Sequence, residues 1–211
     1  MTKQWNPESF VIGSVNEKNV TFYYPLSSGS EEFTKLKIQT PKMRICFDPD
    51  EKKTKEGQTF VKNVSFSTQE IGTDSNKKNI NLFKKKIQET DKKIFSLLPG
   101  MLQNKSFSSS LWQGKNTSYE PTLKVSLPYR DGLCKTQVYN KNDDRIDEET
   151  VKKGIVASAI LKMDNMWIWR DKVGVNWTVE QIKIYEEQKP YGEQKTSQKF
   201  TIRKVDDEEE T

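Results

Sequence analysis

A mainly β protein, a small closed barrel with one helix between its halves, is the fold class that this 211-residue sequence predicts. Three features carry that reading. Apolar and polar residues alternate over most of the chain; one stretch alone switches to helical spacing; and the alternation twice slips by a single residue, a usual way to bend a sheet toward closure.

Residues 20–24 (Val-Thr-Phe-Tyr-Tyr) read as a first strand, closed by Pro25 and the Ser/Gly-rich stretch at 27–30. Leu36 and Ile38 then face inward, with Lys35, Lys37 and Gln39 on the other side. After Pro41 the phase shifts: Met43, Ile45 and Phe47 are expected inward, Lys42 and Arg44 outward. A slip at a proline suggests an edge strand with a bulge. Residues 48–58 are rich in Asp, Lys, Glu and Gly and read as a loop. In the next strand Phe60, Val64 and Phe66 alternate against Val61, Asn63 and Ser65.

From 77 to 98 the period changes. Ile80, Phe83, Ile87, Ile94, Leu97 and Leu98 recur at three-, four- and seven-residue steps, with Lys84, Lys85, Lys86, Lys92 and Lys93 between them, and Pro99-Gly100 ends the run. This predicts an amphipathic helix on a sheet, its lysines forming a solvated face. Strands resume at 121–128, 133–139, 154–163 and 166–170, and the last spans about 174–185. In it Val175, Trp177 and Val179 share a face, while Ile182 and Ile184 take the inward phase from the opposite parity, so a bulge is expected between the two sets. An oligonucleotide-binding (OB) barrel, a five-stranded closed Greek key with a helix between strands three and four, accommodates these elements better than a sandwich, which leaves the helix unexplained. The expected organisation is one domain over 1–185 and a flexible tail over 186–211.

Charge is unevenly spread. The chain holds 35 Lys+Arg against 30 Asp+Glu, yet Asp206, Asp207, Glu208, Glu209 and Glu210 are five of those acids; without them 35 bases face 25 acids, a charge of +10. A basic body attracts polyanions, and a tethered acidic block can compete for the same surface or recruit other proteins. Histidine is absent, which disfavours most hydrolytic and metal chemistry. Carboxylates holding Mg²⁺ need no His, so Asp143, Asp144, Asp147, Glu148 and Glu149 are the candidates for a nuclease, but the run Asn140-Lys141-Asn142-Asp143-Asp144-Arg145 reads as a solvated turn. Cys46 and Cys134, 88 positions apart, fit neither a metal motif nor a disulfide framework and are expected as free buried thiols. No GxxxxGK[ST] loop, helix-turn-helix or zinc-finger pattern occurs. No cofactor or metal is therefore expected, and the protein reads as non-enzymatic. Residues 1–7 lack the apolar segment of a signal peptide, and no stretch approaches the roughly 20 apolar residues of a membrane helix, so an intracellular protein without a membrane partner is expected.

Binding a single nucleic-acid strand needs cations for phosphates and ring faces for bases on one surface. The candidate cations are Lys35, Lys37, Lys42, Arg44, Lys62, Lys124 and Lys135, with Arg130, Arg170 and Lys172 beside aromatic residues. Candidate rings are Trp112, in the Ser/Gly/Asn-rich stretch 106–118, with Tyr129, Tyr139, Trp167 and Trp169. Trp167 and Trp169 project from one strand face and either cap the barrel or form a stacking platform. Trp177 reads as core.

The segment Gly154-Ile-Val-Ala-Ser-Ala-Ile-Leu-Lys-Met163, the aromatic strand Met166-Trp-Ile-Trp169, and Lys172-Val-Gly-Val-Asn-Trp-Thr-Val-Glu-Gln-Ile-Lys-Ile-Tyr185 resemble the closing strands of viral replication single-stranded DNA-binding proteins, those of short-tailed phages and their counterparts in large eukaryotic DNA viruses. The resemblance covers about residues 120–185 and the acidic tail. It implies cooperative, sequence-indifferent coating of single-stranded DNA, with RNA left open, during viral DNA replication, recombination or repair. It also implies replication proteins as partners of the tail, self-association or a filament on DNA, and a location in host cytoplasm or nucleus. Two rival readings are a virion or scaffold interaction module and the Mg²⁺-dependent nuclease.

Overall fold

The computed structural model describes residues 5–25 and 31–187; the acidic block Asp206–Glu210 and the rest of the expected tail lie outside them. A 3₁₀ turn, Pro7–Ser9, precedes strands β1 (Val11–Val15) and β2 (Asn19–Pro25). Short β3 (Phe33–Thr34), β4 (Lys37–Gln39), β5 (Met43–Ile45) and β6 (Asp50–Lys53) lead into the longer β7 (Thr59–Ser67). Helices α1 (Asp74–Ser96) and α2 (Gly100–Gln103) follow, then β8 (Ser106–Ser108), β9 (Leu111–Trp112) and β10 (Thr122–Arg130). The chain continues through β11 (Leu133–Cys134), β12 (Gln137–Tyr139), β13 (Arg145–Ile146) and a 3₁₀ turn, Glu148–Thr150, to two long strands, β14 (Ile155–Trp169) and β15 (Lys172–Glu187). Among the described residues no helix is long and apolar enough to cross a membrane.

The fold is mainly β, and its fifteen strands join in one large mixed sheet, more extensive than the five-stranded barrel expected. Within it, β14 pairs with β5, β5 with β7, β7 with β10, β10 with β15, and β15 with β14, so the pairing path returns to its start. All contacts on this path are antiparallel except β10 with β15, where Ser126 opposes Thr178 in parallel. In chain order the strands of this path are β5, β7, β10, β14 and β15, so α1 falls between the second and third of them rather than between the third and fourth as expected.

Both slips of phase are one-residue bulges. Between the pairs Gln39↔Ile160 and Met43↔Ala157 lie three residues on one side (Thr40, Pro41, Lys42) and two on the other (Ser158, Ala159). Thr40 fits the gap by giving its amide to the Ala159 carbonyl at 2.8 Å and taking the Ala159 amide on its hydroxyl at 2.9 Å. On β15, Ile160 pairs with Gln181 but Leu161 with Val179, so Glu180 is the inserted residue. Trp177 and Val179 before it and Ile182 and Ile184 after it all reach the core despite opposite parity. The segments 154–163 and 166–170 form one continuous strand, interrupted by Asp164 and Asn165 opposite Asn176.

Four expectations need correction. Phe47 and Phe60 are exposed rather than inward, 53% and 47% respectively. The strand that would carry Phe47 inward stops at Ile45, and Phe60 is the inserted residue of a bulge in the β6–β7 arm, past the last β7–β10 pair at Val61. The 48–58 stretch is a hairpin arm, β6 pairing with β7 from Asp50↔Asn63 to Lys53↔Thr59. The helix starts at Asp74, where the Thr73 hydroxyl accepts the Asn76 amide, and ends at Ser96. Cys46 and Cys134 are free thiols but half-buried.

The helix buries Ile80, Phe83, Ile87 and Ile94 in the same core as Val64 and Phe66 of β7, Leu123, Val125 and Leu127 of β10, and Trp177 of β15. Each such aliphatic side chain contributes roughly 1.5–3 kcal/mol by leaving water. The same helix face also buries a carboxylate. Asp91 is 4% exposed and accepts three hydrogen bonds: from the Ser109 hydroxyl at 2.9 Å, the Ser110 amide at 2.8 Å and the Ser110 hydroxyl at 2.6 Å. The Ser110 oxygen in turn accepts the indole N–H of Trp177 at 3.0 Å. Helix, strand β15 and the segment leading into β9 are thereby joined through one polar cluster inside the core.

Replacing Asp91 with Ala strands two hydroxyls and an amide, at a cost of roughly 1–3 kcal/mol per buried orphaned group. Urea denaturation is expected to show a loss of about 3 kcal/mol, and a loss below about 1 kcal/mol contradicts the assignment. Burial raises the Asp91 carboxyl above its ordinary range, against the lowering effect of the Ser110 and Ser109 bonds. The folded state thus binds this proton more tightly than the unfolded chain, so its contribution to stability is full below the ordinary carboxylate range, near pH 4, and is lost as pH rises through the raised folded value. Asp91→Asn removes that pH-dependent fall; an unaltered slope overturns the attribution.

Candidate nucleic-acid interface

Residues directly opposite one another in paired strands put their side chains on the same side of the sheet. Arg44 opposes Ser67, Ser67 opposes Thr122, and Thr122 opposes Trp112, so these four form one row across β5, β7, β10 and β9. Inward parity on these strands belongs to Ile45, Phe66 and Leu123, which are fully buried, so the row faces outward. The next row on that face pairs Ser65 with Lys124. A third runs Asn63, Ser126, Thr178, Lys162 and Lys37 across five strands. Small hydroxyl residues (Ser65, Ser67, Thr122, Ser126) make the floor of this face and leave the backbone approachable.

Rings stand around that floor. Trp112 is 57% exposed, and Tyr119 is 72% exposed. Tyr119 and Phe47 line a hollow of about 350 Å³ together with Ser67, Thr122 and Glu120, the last paired with Lys84. The 113–120 turn, which follows Trp112 and carries Tyr119, is folded on itself: the Gln113 side-chain amide donates to the Tyr119 carbonyl at 2.9 Å, and Asn116 accepts from the amide and hydroxyl of Ser118 at 3.0 and 2.7 Å. Trp112 lies against Gly114, where an added Cβ would stand 3.4 Å from the indole. Ser110, held by Asp91, is two residues before Trp112, so the buried cluster fixes the base of this ring-bearing turn.

Three lysines of the face are paired with carboxylates. Lys37 pairs with Glu180 at 2.9 Å, Lys162 with Asp164 at 2.9 Å, and Lys124 approaches Asp50 at 3.7 Å. Lys35 donates to the Asp164 carbonyl, and its ammonium pKa is lowered by burial against the raising effect of the Asp164 carboxylate. The Lys37 and Lys124 pairs, whose ammonium groups are open to solvent, are worth about 0–1 kcal/mol each, so phosphates can replace their carboxylates at small cost.

The expected site residues fall into several groups, and one trough does not collect them all. Arg44, Lys124, Trp112 and Lys37 share the outward face, with Lys35 at its edge. Lys62 does not: its parity is that of Val64 and Phe66, opposite Leu127, and it closes the end of the sheet against Glu149 and over the Tyr129 ring at 5.4 Å. Burial lowers the Lys62 pKa, but the Glu149 and Tyr129 contacts outweigh it and hold it above the usual lysine range. Tyr129 is correspondingly half-buried, its hydroxyl 3.3 Å from Glu148. Arg130 and Lys135 are exposed around the β10–β11 hairpin, where Arg130 opposes Leu133. Tyr139 is half-buried and donates to Gln137 at 3.0 Å. Lys42 lies 3.9 Å from the centre of the Tyr185 ring.

The β14–β15 hairpin forms a separate group. Trp167 is half-buried over Gly174, where any Cβ would come within 2.4 Å of the indole. Trp169 is 60% exposed with the Arg170 guanidinium 4.5 Å from its ring centre, and Lys172 is exposed beside them. Trp177 is core. The acids proposed for a nuclease serve local structure: Asp143 pairs with Lys183, Asn140 bonds Asp144, Asp147 caps the 3₁₀ turn, and Glu148 and Glu149 engage Tyr129 and Lys62. Among the described residues no group of His, Cys, Asp and Glu could hold a metal ion.

Sequence reasoning missed Lys162, Tyr119 and Phe47. Lys162 had a signal, since it alternates between buried Leu161 and Met163. Tyr119 had the same one as Trp112, an aromatic residue in an Asn/Ser/Gly-rich turn. Phe47 had none, because the alternation simply continues past the end of its strand.

No protein-family model and no curated protein matches the chain in sequence. Among solved structures, the single-stranded DNA-binding protein from bacteriophage Enc34 superposes with a TM-score of 0.49 at 13% identity, covering 88% of this chain and 94% of that one. The same phage protein in complex with single-stranded DNA gives 0.47 at 11% identity, over 88% and 99%. Gp2.5, a single-stranded DNA-binding protein encoded by bacteriophage T7, gives a TM-score of 0.50 at 8% identity over 75% of this chain and 96% of its own, so the two have a fold in common.

Proposed function

We propose that this protein binds single-stranded DNA, without sequence preference and without catalysis, on the outward face of β5, β7 and β10, and that the returning path of five strands is an oligonucleotide-binding barrel. The observation that carries the reading is the row Arg44–Ser67–Thr122–Trp112 with Tyr119 and Phe47 beside it: flat, exposed rings around a small-residue floor, rimmed by cations. Bases stack on the rings, a sequence-tolerant contact because every base has a π-face, while Arg44, Lys124, Lys162 and Lys37 meet phosphates. The fold in common with gp2.5 supports the barrel; the function rests on the face itself. A role in viral DNA replication, recombination or repair, inside the host cell, with replication proteins recruited through Asp206–Glu210, belongs to the same proposal.

Titration with oligo-dT is expected to quench tryptophan fluorescence. The logarithm of affinity should fall with the logarithm of salt at a slope near −0.7 per phosphate contact, about −3 for the four cations named. A protein-interaction module gives neither quenching nor a salt slope, and either absence overturns the reading.

Trp112→Ala and Tyr119→Ala should each weaken single-strand binding by roughly 1–3 kcal/mol, with thermal midpoints unchanged because both rings are exposed. Wild-type affinity in both variants excludes this face.

A further inference from the structure

A second hollow lies where the outward face ends. Lys42 is two residues from Arg44 and on the same side, and Ser158 is two residues from Val156, which Arg44 opposes. Past them α1 overhangs the sheet and encloses about 330 Å³, at the lower end of the roughly 300–1,000 Å³ of small-ligand sites. Two rings flank it, each with its own cation. Tyr185 has the Lys42 ammonium 3.9 Å from its ring centre and Lys183 at 5.9 Å, and its hydroxyl is 3.1 Å from the Ser158 hydroxyl. Trp5 has the Lys86 ammonium 5.9 Å from its ring centre.

The helix fixes Trp5 and the backbone at Lys42. The Trp5 indole donates to Thr90 at 2.9 Å, and Lys86 donates to the Trp5 carbonyl at 2.9 Å. Asn76 brackets the Lys42 backbone, donating to its carbonyl at 3.0 Å and accepting its amide at 3.3 Å. Among the described residues no Asp or Glu lines this hollow, unlike the outward face, where the lysines carry carboxylate partners. Two cations with no acid among the described lining residues, two flat rings and a volume at the scale of one nucleotide fit an anionic aromatic ligand.

We propose that this hollow is a second nucleotide site, in which a base packs against Tyr185 or Trp5 and the flanking phosphates meet Lys42 and Lys86. A strand crossing Arg44 enters it along β5. The inference rests on the single-strand reading above and extends its footprint around the sheet, beyond the face that bears Trp112.

Oligo-dT of two lengths tests it, roughly 6 and roughly 14 nucleotides, both within the 4–16 spanned by one barrel. Lys42→Glu, an exposed change, and Tyr185→Ala should weaken the longer oligonucleotide about five- to tenfold and leave the shorter one unaffected. Tyr185→Phe, which keeps the ring, should retain wild-type affinity for both. Equal losses at both lengths, or none, overturn the second site while the wild-type protein still binds. A wild-type protein that binds neither length overturns the single-strand reading and the second site together.

Discussion

The structure depends on a carboxylate kept inside the core. Asp91 projects from α1 among Ile87 and Ile94 and receives three hydrogen bonds from Ser109 and Ser110, while Ser110 accepts the indole of the largest buried side chain, Trp177. A buried charge or its acid form is costly unless its hydrogen bonds are met, so helix, β9 segment and β15 have one satisfactory relative placement. That placement matters outside the core as well. Two residues beyond Ser110 the chain presents Trp112, and the turn that follows presents Tyr119. Interior hydrogen bonding thereby sets the position of exposed rings whose own contacts with the protein are few.

Closure of the sheet depends on bulges. The inserted residues near Pro41 and at Glu180 let β4–β5 and β15 change which parity points inward, and β14, paired to both, bends with them. One outcome is that outward side chains form continuous rows around several strands. Another is that Lys42 emerges at the first bulge, where the row of Arg44 gives way to the hollow under α1. Cations on the open face are paired with Asp50, Asp164 and Glu180, whereas Lys42 and Lys86 lie over rings. A polyanion exchanging with such carboxylates gains little net attraction per pair, which accords with the sequence-indifferent contacts proposed above.

Much of this architecture was legible because strand parity is strict. The change of phase between Val179 and Ile182 announced the Glu180 bulge, the slip at Pro41 announced the other, and Trp177 between Val175 and Val179 read as core. Parity failed where strands end. Phe47 keeps the alternation past the end of its strand, Phe60 is the inserted residue between the pairs Lys52↔Val61 and Lys53↔Thr59, and Lys62, on the inward parity, closes the end of the sheet against Glu149. The strand Val11–Val15 left no readable pattern, since all five of its residues are exposed. The rings of the proposed interface were half legible: Trp112 was read from turn-rich sequence where a large apolar side chain lacks a packing reason, while Tyr119, in the same kind of sequence, and Phe47 were missed. The Tyr185–Trp5 hollow was not legible at all. Its residues are 180 positions apart, and only the packing of α1 brings them together.

Photocrosslinking of an oligonucleotide carrying halogenated pyrimidines, followed by peptide mapping, locates the bases on the protein surface. The account predicts adducts on Trp112, Tyr119 and Phe47, the rings around Ser67 and Thr122. Adducts confined to Trp169 and the β14–β15 hairpin, with none on the 112–119 turn, would contradict it.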